Sequence, residues 1–381
     1  MDASPTHAHV VGAGPAGWAA ARHLARAGWA VDLHGGEDHH PYNRVEVSKS
    51  LLAGTAGVTD HGLGAIPEGV TLHVGNRIVA KHGLLARASD GEPLDGPVII
   101  ATGAIPRTLP SPADAHVLRT ADDATRLREA IGDSGRAVEI IGAGVLGMEA
   151  AGSLTDGGHR VRVVDPAPEI MGRLLPADAA SWLRGIHERR GVEFALGAPP
   201  THDETAVAVV TIGVDPDTAL ARELDLDVDD GIVVDDLGRT SRPGIFAAGD
   251  CSTRRIGGVA KRDEDLASAR ASGIRAATGV LVDAGAVDEP AAARPAPPRR
   301  WSNQCGLRVT TVGAVTDADL ALDAAANAES ATPAEHVVVA SDEERHESVV
   351  VRDGIVVGAV AIAARPDPRG IVAMVGKPWN G

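Results

Sequence analysis

Two glycine clusters, a domain's length apart, constrain this 381-residue chain more than anything else in it. Gly12, Gly14 and Gly17, in "GAGPAG", follow a short apolar run at 8–11 and open a stretch, 16–27, with apolar residues at helical spacing. Residues 30–33 then read as a second strand. "AVEIIGAGVLGMEAAGSLTDGGHRVRVVD", residues 137–165, repeats strand, tight turn, helix and strand around Gly142, Gly144 and Gly147. In each copy the first glycine permits the turn, the second lets a pyrophosphate approach the backbone, and the third lets helix and strand pack closely. The helix N-terminus then faces the phosphate charge. A duplicated unit of this kind predicts two mononucleotide-type folds in one chain.

An acid after the second strand of such a unit holds the adenosine ribose. Glu37 stands 20 residues past Gly17, and Asp165 eighteen past Gly147. Asp165 would repel a 2′-phosphate, and the following "PAPEI" supplies no arginine to hold one, so NADH is favoured over NADPH. Two dinucleotides on one chain suggest electron traffic between a flavin and a nicotinamide.

The rest of the chain bounds these readings. The length predicts two or three domains, and 44% hydrophobic with 23% charged residues predicts a folded protein. No run of 18 or more apolar residues predicts a membrane span. The start, "MDASPTHAHVVGAG", lacks a signal pattern, which makes the cytoplasm the expected location. A formal charge of −16 argues against nucleic acid as a partner. Cys251 and Cys305 are the only cysteines and form no CxxC, which excludes a dithiol redox centre of that type. Residues 69–104 alternate as short strands with a turn at Asp90-Gly91, and "TAVAVVTIGVDPDT" reads as a buried strand. A helix is expected over 263–280, a Pro- and Ala-rich linker over 288–300, and β-rich structure over 301–381 with a hairpin turn at Asp353-Gly354. The expected fold class is α/β: two Rossmann-like dinucleotide-binding domains, with a small α+β C-terminal domain. The boundaries are placed at 1–107 and 236–290 for the first domain's two segments, 108–235 for the second, and 291–381 for the third.

With these motifs in hand the chain resembles the FAD-dependent pyridine-nucleotide oxidoreductases, above all the ferredoxin, rubredoxin and putidaredoxin reductases; it is also similar to the flavin portion of the nitrite reductase large subunit. The carriers, in family order, are "GAGPAG", "PYNRVEVSK", "ATGAIPR", "GAGVLGMEAA", "TIGVDPDT", "GRTSRPGIFAAGD" and "WSNQCG". The resemblance implies FAD in the first domain and NADH in the second. It implies that Arg44 meets the FAD phosphates or ribityl chain, and that Lys49 lies beside the reactive edge of the flavin, paired with Glu149. A cation there would stabilise an anionic reduced ring. It also implies that Thr102, Gly103 and Arg107 lie where the chain leaves the first domain, that Gly249 and Asp250 take the ribityl hydroxyls, and that Glu264 sits in the helix on the flavin's far side. Gly213 would line the nicotinamide, and Trp301 would lie over the flavin.

The pattern is departed from at four places. Val45-Glu46-Val47 precedes Ser48-Lys49, and Glu46 adds a negative charge beside that lysine. Leu266 and Ser272 stand where a tryptophan and a glutamine are usual. Asn303 and Cys305 replace an acid and an aromatic, and only "PPTHDET" separates the strands at 192–197 and 206–212. Cys305 reads as a small buried thiol. The function implied is an NADH-dependent flavoprotein reductase passing electrons to a ferredoxin-type iron–sulfur protein. The alternative is an FAD enzyme acting directly on a small organic substrate. Lys49, Glu149 and the glycine motifs argue against a non-enzymatic flavin-bearing interaction protein. Arg254, Arg255, Lys261, Arg262, Arg299 and Arg300 are candidate contacts for an acidic partner.

Overall fold

Short β-branched runs bounded by glycine build two parallel sheets. The computed structural model describes residues 6–110, 114–132, 135–197, 203–256, 259–290, 297–321, 333–365 and 370–379, and these fold as two units. Part of the expected linker, 291–296, and part of "PPTHDET", 199–202, lie outside the described residues.

In the first unit, strand β1 (His7–Val11) leads through the glycine turn into helix α1 (Pro15–Arg26) and back to β2 (Ala30–His34). With β3 (Val70–His73) and the strands Val98–Ile100 and Ile245–Ala247, these make a five-stranded parallel sheet in which β1 is central, between Val98–Ile100 and β2. Parallel strands are covered on both faces. Ala8, Val10 and Leu33 are fully buried against Ala20, Ala21 and Leu24 of α1, and the Leu266–Asp283 helix adds Ala276, Ala277 and Val280 to the same core. The small residues bring that helix close to α1: a Cβ on Gly273 would lie 2.1 Å from the Ala16 carbonyl oxygen.

The second unit repeats the scheme. β4 (Ala137–Ile141), α2 (Val145–Asp156) and β5 (Arg160–Asp165) surround the second glycine turn. Strands Glu193–Leu196, Val207–Val210 and His116–Val117 complete the parallel sheet. An antiparallel five-stranded sheet follows in the same unit, beginning with the hairpin β6 (Arg299–Gln304) and β7 (Leu307–Gly313). Its hairpin at Asp353-Gly354 is as expected: both residues have positive φ, +52° and +73°, between the paired residues Arg352 and Ile355. In the first unit, by contrast, the hairpin Ile78–Lys81/Leu84–Arg87 turns at His82-Gly83, also at positive φ, while Asp90-Gly91 turns the chain one step later. Among the described residues no helix is long and apolar enough to cross a membrane.

The units divide the chain differently from the boundaries read in the sequence. Residues 214–235 belong to the first unit, because Ala221, Leu224, Leu226, Ile232 and Val234 enter its core with Val11 and Ile78. Residues 46–55 belong to the second, although chain segments of the first flank them. There Arg128 Nη1 donates to the Leu51 carbonyl at 3.0 Å, and Ser153 Oγ to the Ser48 carbonyl at 2.7 Å. The long helix runs from Leu266 to Asp283, N-capped by Asp265, so Glu264 precedes it rather than lying in it.

Candidate active site

The two glycine turns are nearly the same object. Gly12 and Gly142 have φ of +113° and +115°, which only glycine adopts freely. Cβ atoms there would stand 2.1 Å from the Ala101 oxygen and 2.6 Å from the Thr211 oxygen. A Cβ on Gly17 would stand 1.8 Å from the Gly12 oxygen, and one on Gly147 2.1 Å from the Gly142 oxygen. Gly14 and Gly144 are the N-caps of α1 and α2 with φ/ψ of −74°/−176° and −73°/−177°, and neither helix receives a side-chain cap. Nothing lies within 4 Å of where a Gly144 Cβ would be, and only Arg44 Nε, at 3.7 Å, approaches that of Gly14. An open, uncapped helix N-terminus reached through a side-chain-free turn fits the phosphates of a dinucleotide in both units.

The acids that follow are already at work. Asp165, ending β5, accepts from the amides of Ala143 and Ala167, each at 2.7 Å, so it braces the glycine turn while keeping lone pairs for a ribose. Glu37 accepts from Tyr42 Oη at 2.7 Å and pairs with Arg44. The chain's only tyrosine therefore fixes the acid, and the acid fixes the arginine beside the first turn. Burial works against the Arg44 charge, but its neighbours Tyr42 and Glu37, with Asp250 behind them, hold its pKa above the usual value. Gly249, at φ +77°, opens a single 3-10 turn containing Asp250, and its amide donates to Ser272 Oγ at 2.8 Å. Ser272, one of the departures from the family pattern, is thus the group that fixes this turn. Thr102 Oγ1 donates to the Asp217 carbonyl at 2.9 Å, and Gly103 accepts from the Asp217 amide. Glu264 is exposed and pairs with Arg262 at 2.5 Å.

Within the second unit Lys49 and Glu149 do meet. Lys49 Nζ lies 2.6 Å from Glu149 Oε2, with side chains only 15% and 7% exposed. Glu149 projects from α2, two residues beyond Gly147. Ser48 Oγ donates to the same oxygen at 2.7 Å, and Ser302 Oγ to the other at 2.6 Å. Gln304 Nε2 holds Ser302 Oγ at 2.9 Å and the Val145 carbonyl at 3.3 Å. Three donors on one buried carboxylate offset its lost hydration. Ser48, Ser302 and Gln304 were missed as site residues, yet "VSKS" and "WSNQCG" contain them. Alternation along β6 buries Ser302 and Gln304 and leaves Trp301 and Asn303 more exposed. Trp301 carries Arg308 over its ring at 4.5 Å. Arg107 donates its amide to the Gly213 carbonyl at 3.0 Å, and its guanidinium lies 3.6 Å from where a Gly213 Cβ would be.

The remaining candidates have local roles. Glu46 accepts from Ser50 Oγ at 2.8 Å. Cys251 is fully buried, and burial pushes its thiol pKa up. Cys305 packs on Gly152 and lies 3.4 Å from His187 Nδ1. Burial raises the thiol to about 11 and lowers the imidazole to about 4, so the pair is neutral and the sulfur a poor nucleophile. The proposed basic contacts are mostly neutralised. Arg254 pairs with Asp236 at 3.1 Å, Arg255 with Asp229, Lys261 with Asp263 at 3.6 Å, Arg262 with Asp230 and Glu264, and Arg300 with Asp319 at 3.0 Å.

Two dinucleotide folds, each with an open glycine turn, define a two-cofactor redox protein. Residues 6–272 match the pyridine nucleotide-disulphide oxidoreductase family, and the chain belongs to it. It is accordingly an FAD- and nicotinamide-dependent oxidoreductase. It is 32% identical to a rubredoxin-NAD(+) reductase of Pseudomonas putida over 352 residues, covering 81% of this chain and 87% of that one. It is 29% identical to the ferredoxin–NAD(+) reductase component of the p-cumate 2,3-dioxygenase system of Pseudomonas putida, covering 80% of each. A solved ferredoxin reductase from Rhodopseudomonas palustris superposes with a TM-score of 0.79 at 25% identity, over 94% of this chain and 91% of that one.

Proposed function

We propose that this chain is an NADH-dependent flavoprotein reductase whose electrons leave to a small iron–sulfur protein of the ferredoxin or rubredoxin type. FAD, when bound, supplies the centre that accepts a two-electron hydride and releases electrons singly. The Gly12–Gly17 turn with Arg44, Glu37 and Asp250 would hold it, supported by Thr102 and Gly103. The Gly142–Gly147 turn with Asp165 would hold NADH, with Gly213 and Arg107 at the end of the neighbouring strand. Asp165, fixed as an acceptor by two amides, favours a free ribose 2′-hydroxyl over a 2′-phosphate. A cytoplasmic setting suits the use of NADH.

The observation that carries the reading is the Lys49–Glu149 pair, anchored by Ser48 and Ser302. Glu149 holds the ammonium in place, so no reorganisation is needed when negative charge develops nearby. Of the four departures from the family pattern that favour a small organic substrate, Glu46, Leu266, Asn303 and Cys305, two have local partners: Glu46 accepts from Ser50 and Cys305 lies beside His187. The test is an anaerobic titration of the purified yellow protein with NADH, followed by cytochrome reduction with and without added ferredoxin. Rapid bleaching and ferredoxin-dependent turnover are expected. Bleaching with no ferredoxin effect would remove the iron–sulfur partner, and no bleaching would remove the reductase.

A further inference from the structure

In the first unit, the face of the sheet turned away from α1 carries polar groups unrelated to the glycine turn. Ala8, Val10, Val31, Leu33, Val70 and Leu72 face the core under α1. Strand alternation therefore sends His7 and His9 of β1, Asp32 and His34 of β2, and His73 of β3 to the opposite face. Register sets His9 beside Asp32 and His34 beside His73. The imidazoles form a row, with ring centroids 4.7 Å apart for His7–His9, 5.4 Å for His9–His34 and 5.0 Å for His34–His73.

Within that row one donor atom each from His7, His9 and Asp32 lies within 4.8 Å of the others. Asp32 Oδ2 is 2.9 Å from His7 Nε2 and 3.8 Å from His9 Nδ1. Four-coordinate zinc, with bonds of about 2.0–2.2 Å to nitrogen and oxygen, needs ligand separations of roughly 3.3 Å, inside that span. The outer partners of a ligand set are present too. Asp95 lies 3.4 Å from His9 Nε2, and His73 Nε2 lies 2.7 Å from the second Asp32 oxygen. A carboxylate behind a histidine, and a hydrogen bond on a ligating carboxylate, are the usual means of aiming ligands. His34 Nε2 is 3.2 Å from His9 Nδ1. His7 and Asp32, with side chains 39% and 26% exposed, give an ion a way in.

We propose that His7, His9 and Asp32 form a site for a divalent transition-metal ion, best matched to Zn²⁺, which joins β1 to β2. Water, or His34 in place of its contact with His9, completes four ligands. Two imidazoles and a carboxylate suit zinc over calcium or magnesium, which take oxygen ligands. The site is remote in role from the redox chemistry, and the proposal does not rest on the function proposed above.

The test uses full-length protein with its flavin, stripped with a chelator, desalted and titrated with ZnCl₂ by calorimetry, with equilibrium dialysis counting bound metal. One saturable Zn²⁺ per chain is expected. His7→Gln should weaken it by at least about tenfold, and Asp32→Asn likewise. His40→Gln, exposed and outside the row, should leave it unchanged. His7 is the decisive variant because its partial exposure makes loss of folding from the change small, and retained flavin absorbance verifies this. Wild-type affinity and stoichiometry in His7→Gln, or no saturable Zn²⁺ binding by the wild type, would overturn the assignment.

Discussion

Glu149 accepts hydrogen bonds from three side chains, and that makes it the residue whose loss should be felt most. Glu149→Gln keeps the shape and leaves the Lys49 ammonium without its counter-charge. Breaking a buried pair from one side costs about 3–5 kcal/mol, and the lower end applies because Lys49 retains 15% exposure. A fall in the denaturant midpoint of the second unit's transition measures it. Lys49→Met leaves the Glu149 carboxylate to Ser48 and Ser302 alone, so it too should destabilise the fold. It should also slow flavin reduction by NADH by about tenfold or more. Anaerobic stopped-flow mixing reads the rate, and an unchanged rate would take Lys49 out of the chemistry. The pair itself was legible in the sequence through family pattern. Its anchors were not, because a serine in a motif looks the same whether it faces solvent or a carboxylate 101 positions away. Tyr42 was conspicuous as the only tyrosine, yet its bond to Glu37 depends on a loop path that spacing does not encode.

At the scale of elements, the glycine turns separate folding from binding. Gly147→Ala drives a methyl into the Gly142 carbonyl and Thr211 Oγ1. It should cost about 1–3 kcal/mol as α2 is pushed off β4. Gly144→Ala meets no atom within 4 Å. It should melt within about 0.5 kcal/mol of wild type, while raising the KM for NADH because the methyl occupies the phosphate cradle. Equal losses of stability in the two variants would contradict this division. The Ala177–Arg189 helix carries a different sensitivity through His187. Its imidazole titrates near 4 when folded, against 6.5 as the reference value. Between those values the unfolded chain binds a proton that the folded chain refuses. The stabilising contribution is therefore full above about pH 6.5 and is lost as the pH falls towards 4, by about 3 kcal/mol. Denaturant midpoints across that range should drop in the wild type and drop less in His187→Gln. Strand–turn–helix units were readable because period and glycine spacing are local. The His82-Gly83 hairpin was not, since nothing local distinguishes that glycine pair from the Asp90-Gly91 turn beside it.

For the molecule as a whole, a charge of −16 sits on a surface whose candidate docking cations are largely paired with acids. Exposed pairs contribute little stability, but they cancel the positive field that would draw in an acidic partner. Rates with an acidic ferredoxin should therefore rise with added salt as like-charge repulsion is screened over a Debye length of about 10 Å at 0.1 M. A steep fall in kcat/KM with ionic strength would instead reveal a basic docking face. The duplication of the glycine-turn unit was legible in the sequence, whereas the three domains read there fold as two units. The assignment of 46–55 and 214–235 to the opposite units was not, because it depends on which core those residues enter. That assignment has a consequence during synthesis. The first unit's sheet lacks an outer strand until Ile245–Ala247 has left the ribosome, and its long helix ends at Asp283. The nascent N-terminal half must therefore wait, half-finished and open to chaperones, while the second unit's parallel sheet, whose last strand is Val207–Val210, is already emerging.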